Sequence, residues 1–435
     1  MSDTADAARL IDQLVSLRSG IITHLAPQPR GPQEPCPPHL WTATMAHYGF
    51  PPCSLAMRTT GGKGNTEEAA QLAAMGEALE RYAAVAWDMR RIRVGPAATG
   101  AILPSDCVLY APEQYEAGLA YRAWSTSDET SWIKGTDLAS GDAVEVPAML
   151  AYMVHPPRTH DQFTAPSSNG LATGRDLTHA LIGGLQELIE RDAFMITWLA
   201  RLPATRIRTP ETGSMAAQII RHYARFGITL TGWVLPTDQA CHVVLMLAED
   251  PNPGGVPRMI GLGCDLDPAR AYDKAVFELC QLRPGMVSRL AVSGATAHLH
   301  QAEDVTTMED HALYYTLPTQ ADAFGFLAAN GACCALSDLE DRSSDGAQEQ
   351  DLEAMLHRTT AAGLRVAYVD LTPEDIAPLG LSVVRVIATQ LQPISFGAQQ
   401  MRLGGTRLKE APVAWGLRQV PMTLSDVNPC PHPLA

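Results

Sequence analysis

The chain has 435 residues, 46% of them hydrophobic and 18% charged, which suffices for one large core or two ordinary ones. A formal net charge of −15 argues against bulk attraction to nucleic acid or to an anionic membrane surface. The opening "MSDTADAARL" has no basic start followed by an apolar core, and no run of about 18 apolar residues occurs later, so a cytoplasmic protein is expected.

In chain order, helical periodicity marks residues 66–86, 176–199, 213–226, 268–283 and 350–363. Short β-branched runs begin at 228 ("ITLTGWVL"), 241 ("CHVVLMLA"), 258 ("RMIGLGCD"), 365 ("RVAYVDL") and 382 ("SVVRVIA"), each bounded by Gly, Pro or Asp. The mixture predicts an α+β (mixed α/β) fold. Residues 26–38 and 251–257, rich in Pro and Gly, read as surface loops, and 338–350 as a mobile loop. Ordered patterns resume around them without a change of composition, so a single domain over 1–435 is expected. Nine cysteines with no Cys-x-x-Cys spacing fit neither a disulfide framework nor a zinc site, and reduced thiols are expected.

The chain also resembles itself. "GEALERY" at 76–82 matches "QELIERD" at 186–192 with an offset of 110 residues and no gap. Gly64 then pairs with Gly174, Ala70 with Ala180, Ala73 with Gly183, Ala74 with Gly184, Glu77 with Glu187, Glu80 with Glu190 and Arg81 with Arg191. At about 100° per residue, these positions form one stripe on each helix, small upstream and ending in Glu, Glu and Arg. A solvated face would carry Lys and Gln upstream, whereas Ala and Gly let another body approach the backbone. If the two stripes meet, four carboxylates come together and require a cation among them. Oxygen ligands without His or Cys suit Mg²⁺. Ahead of the helices, "TTGGKGNT" (59–66) and "NGLATGRD" (169–176) read as glycine turns leading to helix N-termini, where phosphate binds through free N–H groups, with Lys63 and Arg175 adding charge. This is no Walker A loop, because Met57 and Gly64 stand where its first Gly and its Ser or Thr belong. A nucleotide site with Mg²⁺ between repeated helices is the reading from chemistry alone.

"GGKGNTEEAAQLAAMGEALERY", "SSNGLATGRDLTHALIGGLQELIERDAF", "FELCQLR" (277–283), "DHALYYTLP" from 310, "LQPISFG" from 391 and the tail "NPCPHPLA" (428–435) together resemble YcaO-domain proteins. The likeness is to the azoline-forming cyclodehydratases, the D proteins of thiazole/oxazole-modified (RiPP) peptide biosynthesis, bacteriocins included. It implies a YcaO-like fold whose repeated helices frame an ATP/Mg²⁺ site in a bacterial cytoplasmic enzyme. Glu77, Glu80, Glu187 and Glu190 are implied as metal ligands, Lys63, Arg81, Gln281 and Arg283 as nucleotide contacts, and Arg191 as a catalytic neutralising group. Ala73 and His179 depart from the family's usual Ser and Glu. The tail at 421–435 is implied to reach the active site, with Pro429, Pro431 and Pro433 stiffening it so that the carboxylate of Ala435 meets the substrate amide.

The implied reaction is ATP-dependent conversion of Cys, Ser or Thr in a precursor peptide to thiazoline or oxazoline by phosphorylation of the amide-derived oxyanion. The pattern begins near the N-terminus, so leader recognition is expected from a separate E1-like (ThiF-like) partner. A flavin dehydrogenase and a homodimer within a complex complete the implied assembly. Thioamide or amidine formation by the same fold, a nonenzymatic ATP-binding accessory role, and a scaffold with solvated Glu stripes are the alternatives.

Overall fold

The computed structural model describes residues 3–47, 58–154, 162–210, 213–344 and 346–434. Helix α1 (Asp3–Leu14) precedes an antiparallel sheet of β1 (Ile22–Pro27), β2 (His39–Met45) and β3 (Thr59–Gly64), and helix α2 (Glu67–Val85) follows it. A six-stranded sheet contains β4 (Ile92–Gly95), β5 (Thr130–Asp137), β6 (Ala143–Pro147), β7 (Leu171–Gly174), β13 (Val366–Asp370) and β14 (Ser382–Ala388). Its order is β4-β5-β13-β14-β7, with β6 also paired to β5. The five-stranded sheet runs β11-β10-β9-β8-β12, built from β8 (Thr205–Ile207), β9 (Thr229–Val234), β10 (His242–Glu249), β11 (Arg258–Asp265) and β12 (Cys333–Cys334). The later helices are α3 (Leu177–Leu199), α4 (Met215–Ala224), α5 (Pro268–Leu290), α6 (Met308–Tyr314), α7 (Gln348–Ala361) and α8 (Arg407–Ala414). The mixed fold expected from the sequence is the fold observed.

The glycine stretches before the helices are strands, not turns. A Cβ on Gly62 of β3 would stand 2.1 Å from the Ala70 carbonyl oxygen, and one on Gly174 of β7 would stand 2.4 Å from the Ala180 nitrogen. The glycines are therefore required by the close approach of each strand to its own helix. The same construction recurs a third time, in β11 and α5: Gly62, Ala70, Ala74 and Glu77 correspond to Gly263, Ala271, Ala275 and Glu278, and a Cβ on Gly263 would lie 2.1 Å from the Ala271 oxygen.

The three helix N-termini are closed by their own side chains. Thr66 Oγ1 accepts from Ala69 N (3.2 Å), Asp176 Oδ1 from His179 N (2.8 Å) and Asp267 Oδ1 from Ala269 N (2.8 Å). Glu67 and Glu68 add negative charge at the first and Asp176 and Asp267 at the others, which disfavours phosphate there. Arg175, expected to draw phosphate, is exposed beside Asp176 at 3.5 Å.

Each helix touches the next unit's strand. α2 packs on β3 and also on β7, α3 on β7 and also on β11, and α5 on β11 and also on β3, so the three units close into a ring. From Asp192 to Leu199 α3 is buried on all sides, as befits a central helix. α5 was expected to stop before Pro284 but runs on to Leu290 with the proline inside it. α7 begins at Gln348 within the expected loop, and Arg342 ties that stretch to the Ala240 carbonyl (2.9 Å). Among the described residues no helix is long and apolar enough to cross a membrane, and the eight cysteines are free thiols.

Candidate active site

Ring closure brings Glu77–Arg81 of α2, Glu187–Arg191 in the middle of α3 and Glu278 in the middle of α5 around one region. In each unit the first Glu is tied back to its own strand or the residue before it: Glu77 Oε2 accepts from Gly61 N (3.0 Å), Glu187 Oε2 from Gly170 N (2.9 Å), and Glu278 from Leu262 N. The second position reaches onward, since Glu80 Oε1 accepts from Thr173 N of the next strand (2.8 Å). Arg81 donates to Glu77 Oε1 (2.7 Å) and to the Thr59 carbonyl (3.2 Å). Arg191 faces Glu187 at 3.9 Å and Glu190 at 3.5 Å, too far for a good hydrogen bond.

The glutamates are half-buried, and desolvation acts on three of them. Burial, then Glu77 and Glu187, pushes the Glu80 carboxyl well above the ordinary range. Burial also raises Glu187, and burial together with Glu278 and Glu187 raises Glu190 to about 7 despite Arg191 and Lys63. Arg191 is penalised by burial, yet Glu190, Glu187 and Glu278 hold its pKa above the usual value. Its Nε and Nη1 nonetheless have no hydrogen-bond partner. The site thus holds carboxylates in excess of their cations next to a guanidinium that lacks hydrogen-bond acceptors at two of its nitrogens. Mg²⁺ joined to phosphate oxygens supplies both, so the residues fit the pair. Among the described residues no three His, Cys, Asp or Glu side chains converge as a ready cage; Mg²⁺ commonly keeps waters and completes its shell with substrate phosphates.

The C-terminal tail enters the protein near this region. Asn428 donates to the Leu199 carbonyl (2.7 Å) at the end of α3, and Arg201 donates to Asn428 Oδ1 (3.0 Å). Pro429 is exposed, whereas Pro431, His432, Pro433 and Leu434 are buried. The charge of Arg191 acts on His432, whose pKa is forced well down by burial, by His311 and by that arginine. Ala435, expected to present its carboxylate, lies outside the described residues.

Comparison with known proteins identifies the family and the fold. The YcaO family, described as cyclodehydratases that bind ATP and Mg²⁺, matches residues 61–392. The chain belongs to the YcaO family. A heterocyclase solved in complex with substrate and cofactor shares the fold with a TM-score of 0.81 at 22% identity, covering 100% of this chain and 57% of that one. The YcaO protein of Methanopyrus kandleri bound with AMPPCP and Mg²⁺ gives a TM-score of 0.67 at 21% identity, over 90% of this chain and 91% of that one. An uncharacterized protein of Methanothermobacter thermautotrophicus is 27% identical over 359 residues, 80% of this chain and 85% of its own length.

Within this YcaO fold the third helix separates Gln281 from Arg283 and adds Glu278, and β14 adds Arg385. Gln281 sits over β3, because a Cβ on Gly61 would lie 2.3 Å from its Nε2. Arg283 is about 200° further round α5 and does not share that face. Its side chain is 1% exposed; one terminal nitrogen donates to Glu34, the other to Asp250 and Gln33 Oε1 (3.3 Å), and the guanidinium lies 5.5 Å from the Tyr223 ring centroid. It is a buried structural ion group rather than a nucleotide contact in this conformation. Glu278, by contrast, lies in the field of Glu190 and Arg191 and had gone unremarked; the signal available was "GLG" followed by Ala271, Ala275 and Glu278 at the spacing of the first unit. Arg385 of β14 was equally silent in the sequence. It donates to the Ala151 (3.2 Å), Asn169 and Ser167 carbonyls, and burial brings its pKa down to about 10 while Glu187 and Glu80 oppose the shift.

Proposed function

We propose that this YcaO protein is an ATP-dependent cyclodehydratase that converts Cys, Ser or Thr of a ribosomally made peptide to an azoline. The observation that carries the reading is the convergence of half-buried carboxylates from α2 and α3, joined by the Glu80 bond to Thr173 N, beside the unpartnered Nε and Nη1 of Arg191. Glu77, Glu80, Glu187 and Glu190 hold the metal, with Glu278 beside them. Lys63, Arg81, Gln281 and Arg191 bind and orient the phosphates. Mg²⁺, when bound, neutralises charge developing on the transferred phosphoryl group. The substrate side chain attacks the preceding amide carbon, the amide oxygen takes the γ-phosphoryl, and phosphate leaves with that oxygen as the amide nitrogen gives up its proton and forms the C=N bond. Arg191 lies where it can stabilise the developing charge. The tail carboxylate at Ala435, guided by Pro429, Pro431 and Pro433, accepts the proton of the attacking group.

The aligned heterocyclase was captured with substrate and cofactor, which supports a site here that takes both. Leader binding is assigned to a separate E1-like protein, and oxidation of the ring, where it follows, to a flavin dehydrogenase. The deciding experiment supplies peptide, partner, ATP and Mg²⁺ and measures phosphate release together with peptide mass. Loss of about 18 Da per ring, the elements of water with the oxygen carried off on phosphate and two protons released, is expected. ATP consumption with another mass change would move the reading to thioamide or amidine formation, and no consumption would leave an accessory role.

A further inference from the structure

Proline has no N–H, so the run Pro429-Cys430-Pro431-His432-Pro433 can be gripped through its backbone almost only as a hydrogen-bond acceptor. Three consecutive carbonyls of this run each meet a side-chain donor. Trp198 Nε1 donates to the Cys430 oxygen (3.0 Å), the Tyr315 hydroxyl to the Pro431 oxygen, and His311 Nδ1 to the His432 oxygen (2.7 Å). The donors are held in place independently of the tail. Trp198 stands edge-on to Tyr315 with ring centroids 5.3 Å apart, and Gly397 N donates to His311 Nε2 (2.8 Å). That last bond, with the one to His432, requires the Nδ1–H tautomer of a neutral ring. Burial agrees, bringing the His311 pKa down to about 4. His432 stacks on His311 at 4.1 Å and donates through Nε2 to the Ser395 carbonyl (2.9 Å).

We infer that Trp198, Tyr315 and His311 are positioning residues: a rail of three donors that fixes the register of the tail by its main-chain carbonyls and so sets where the residues after Leu434 stand. The catalytic part of this inference rests on the cyclodehydratase reading; the rail itself does not. Trp198 lies on the same helix as Arg191, two turns or about 10 Å further along, so register is set relative to the phosphate-facing groups. The mode is that of polyproline recognition, in which aromatic donors read backbone carbonyls, turned here onto the chain's own tail.

The test has a readout that needs no activity. The full-length protein is digested with a carboxypeptidase that accepts proline, and loss of Leu434 and Pro433 is followed by mass spectrometry, beside kcat for ring formation and KM for ATP. Tyr315→Phe removes a single oxygen and keeps the packing; it is expected to speed release about fivefold or more, consistent with one net hydrogen bond. Trp198→Phe and His311→Ala should do the same, and His311→Asn, whose amide can reproduce the Nδ1 donor, should restore protection. Ring-forming kcat should fall in step with lost protection while KM for ATP is kept. Unchanged protection in Tyr315→Phe and His311→Ala overturns the rail, whatever the activity. Lost protection with unchanged kcat supports the rail as the tail's anchor and removes the tail from the chemistry.

Discussion

Arg191 and Arg283 lie in corresponding helices of a repeated unit, and both are surrounded by carboxylates, yet their balances differ. Arg283 commits both terminal nitrogens to Glu34, Asp250 and Gln33, with Tyr223 donating to Glu34 (2.6 Å). Arg191 stands among Glu187, Glu190 and Glu278 with Nε and Nη1 unbonded. The next residue along α3, Asp192, repeats the matched pattern with Arg407 (2.7 Å), which also pairs with Asp238 (2.6 Å). The match is a matter of degree: Arg283 lacks a partner only at Nε, whereas Arg191 lacks one at both Nε and Nη1, which makes Arg191 the better candidate to receive a ligand.

The contrast breaks first at the matched pair. Arg283→Met should leave Glu34 and Asp250 buried without a counter-charge and cost about 3–5 kcal/mol of stability, measured by denaturant unfolding. If the variant is as stable as the parent but binds ATP poorly, the assignment of Arg283 to structure is wrong. Next come the unmatched groups: Glu187→Gln or Glu80→Gln should lower ATP turnover on the order of 10²–10³-fold with the fold intact, since Gln still accepts the backbone N–H. Normal Mg²⁺-dependent turnover in both would remove them from the metal site. Several residues added after Ala435 should reduce ring formation by on the order of 100-fold, because a displacement of about 1 Å suffices, while nucleotide binding is kept. Wild-type ring formation by the extended enzyme would return the tail to a passive role.

The smallest effect is that of pH. The Glu190 carboxyl, raised to about 7 by burial with Glu278 and Glu187, holds a proton below that value which a metal must displace. Affinity for Mg²⁺ with nucleotide should therefore fall by up to about tenfold per unit below pH 7. The metal-free protein should move the other way. Between the unfolded value of 4.5 and about 7 the folded state binds the extra proton, so stability rises as pH falls through this window. Calorimetric titrations and melts at pH 8 and 6 measure both; flat profiles would mean that Glu190 is already balanced.

The two principal helices were legible because their signals are local: expected at 66–86 and 176–199, they are observed at Glu67–Val85 and Leu177–Leu199. The strands rich in Val and Ile after residue 228 were legible for the same reason. β3 and β7 were not, because glycine reads as a turn in isolation and its need for a flat approach to Ala70 or Ala180 exists only once the helix has packed. The third unit escaped because it keeps Glu278 but has Gln281 and Leu282 where the others have Glu and Arg. The partners of Arg283 were hidden because Glu34 and Asp250 are far from it in sequence, and nothing local shows how well an arginine is matched.

The tail has a consequence in the order of synthesis. Chains emerge N-terminus first, so Trp198, Tyr315 and His311 are all made before Cys430, Pro431 and His432. Until those last residues leave the ribosome, three donors in the interior face an open slot, and a message cut short upstream of Asn428 yields a protein in which they never close. Closure of that slot therefore waits on translation through His432.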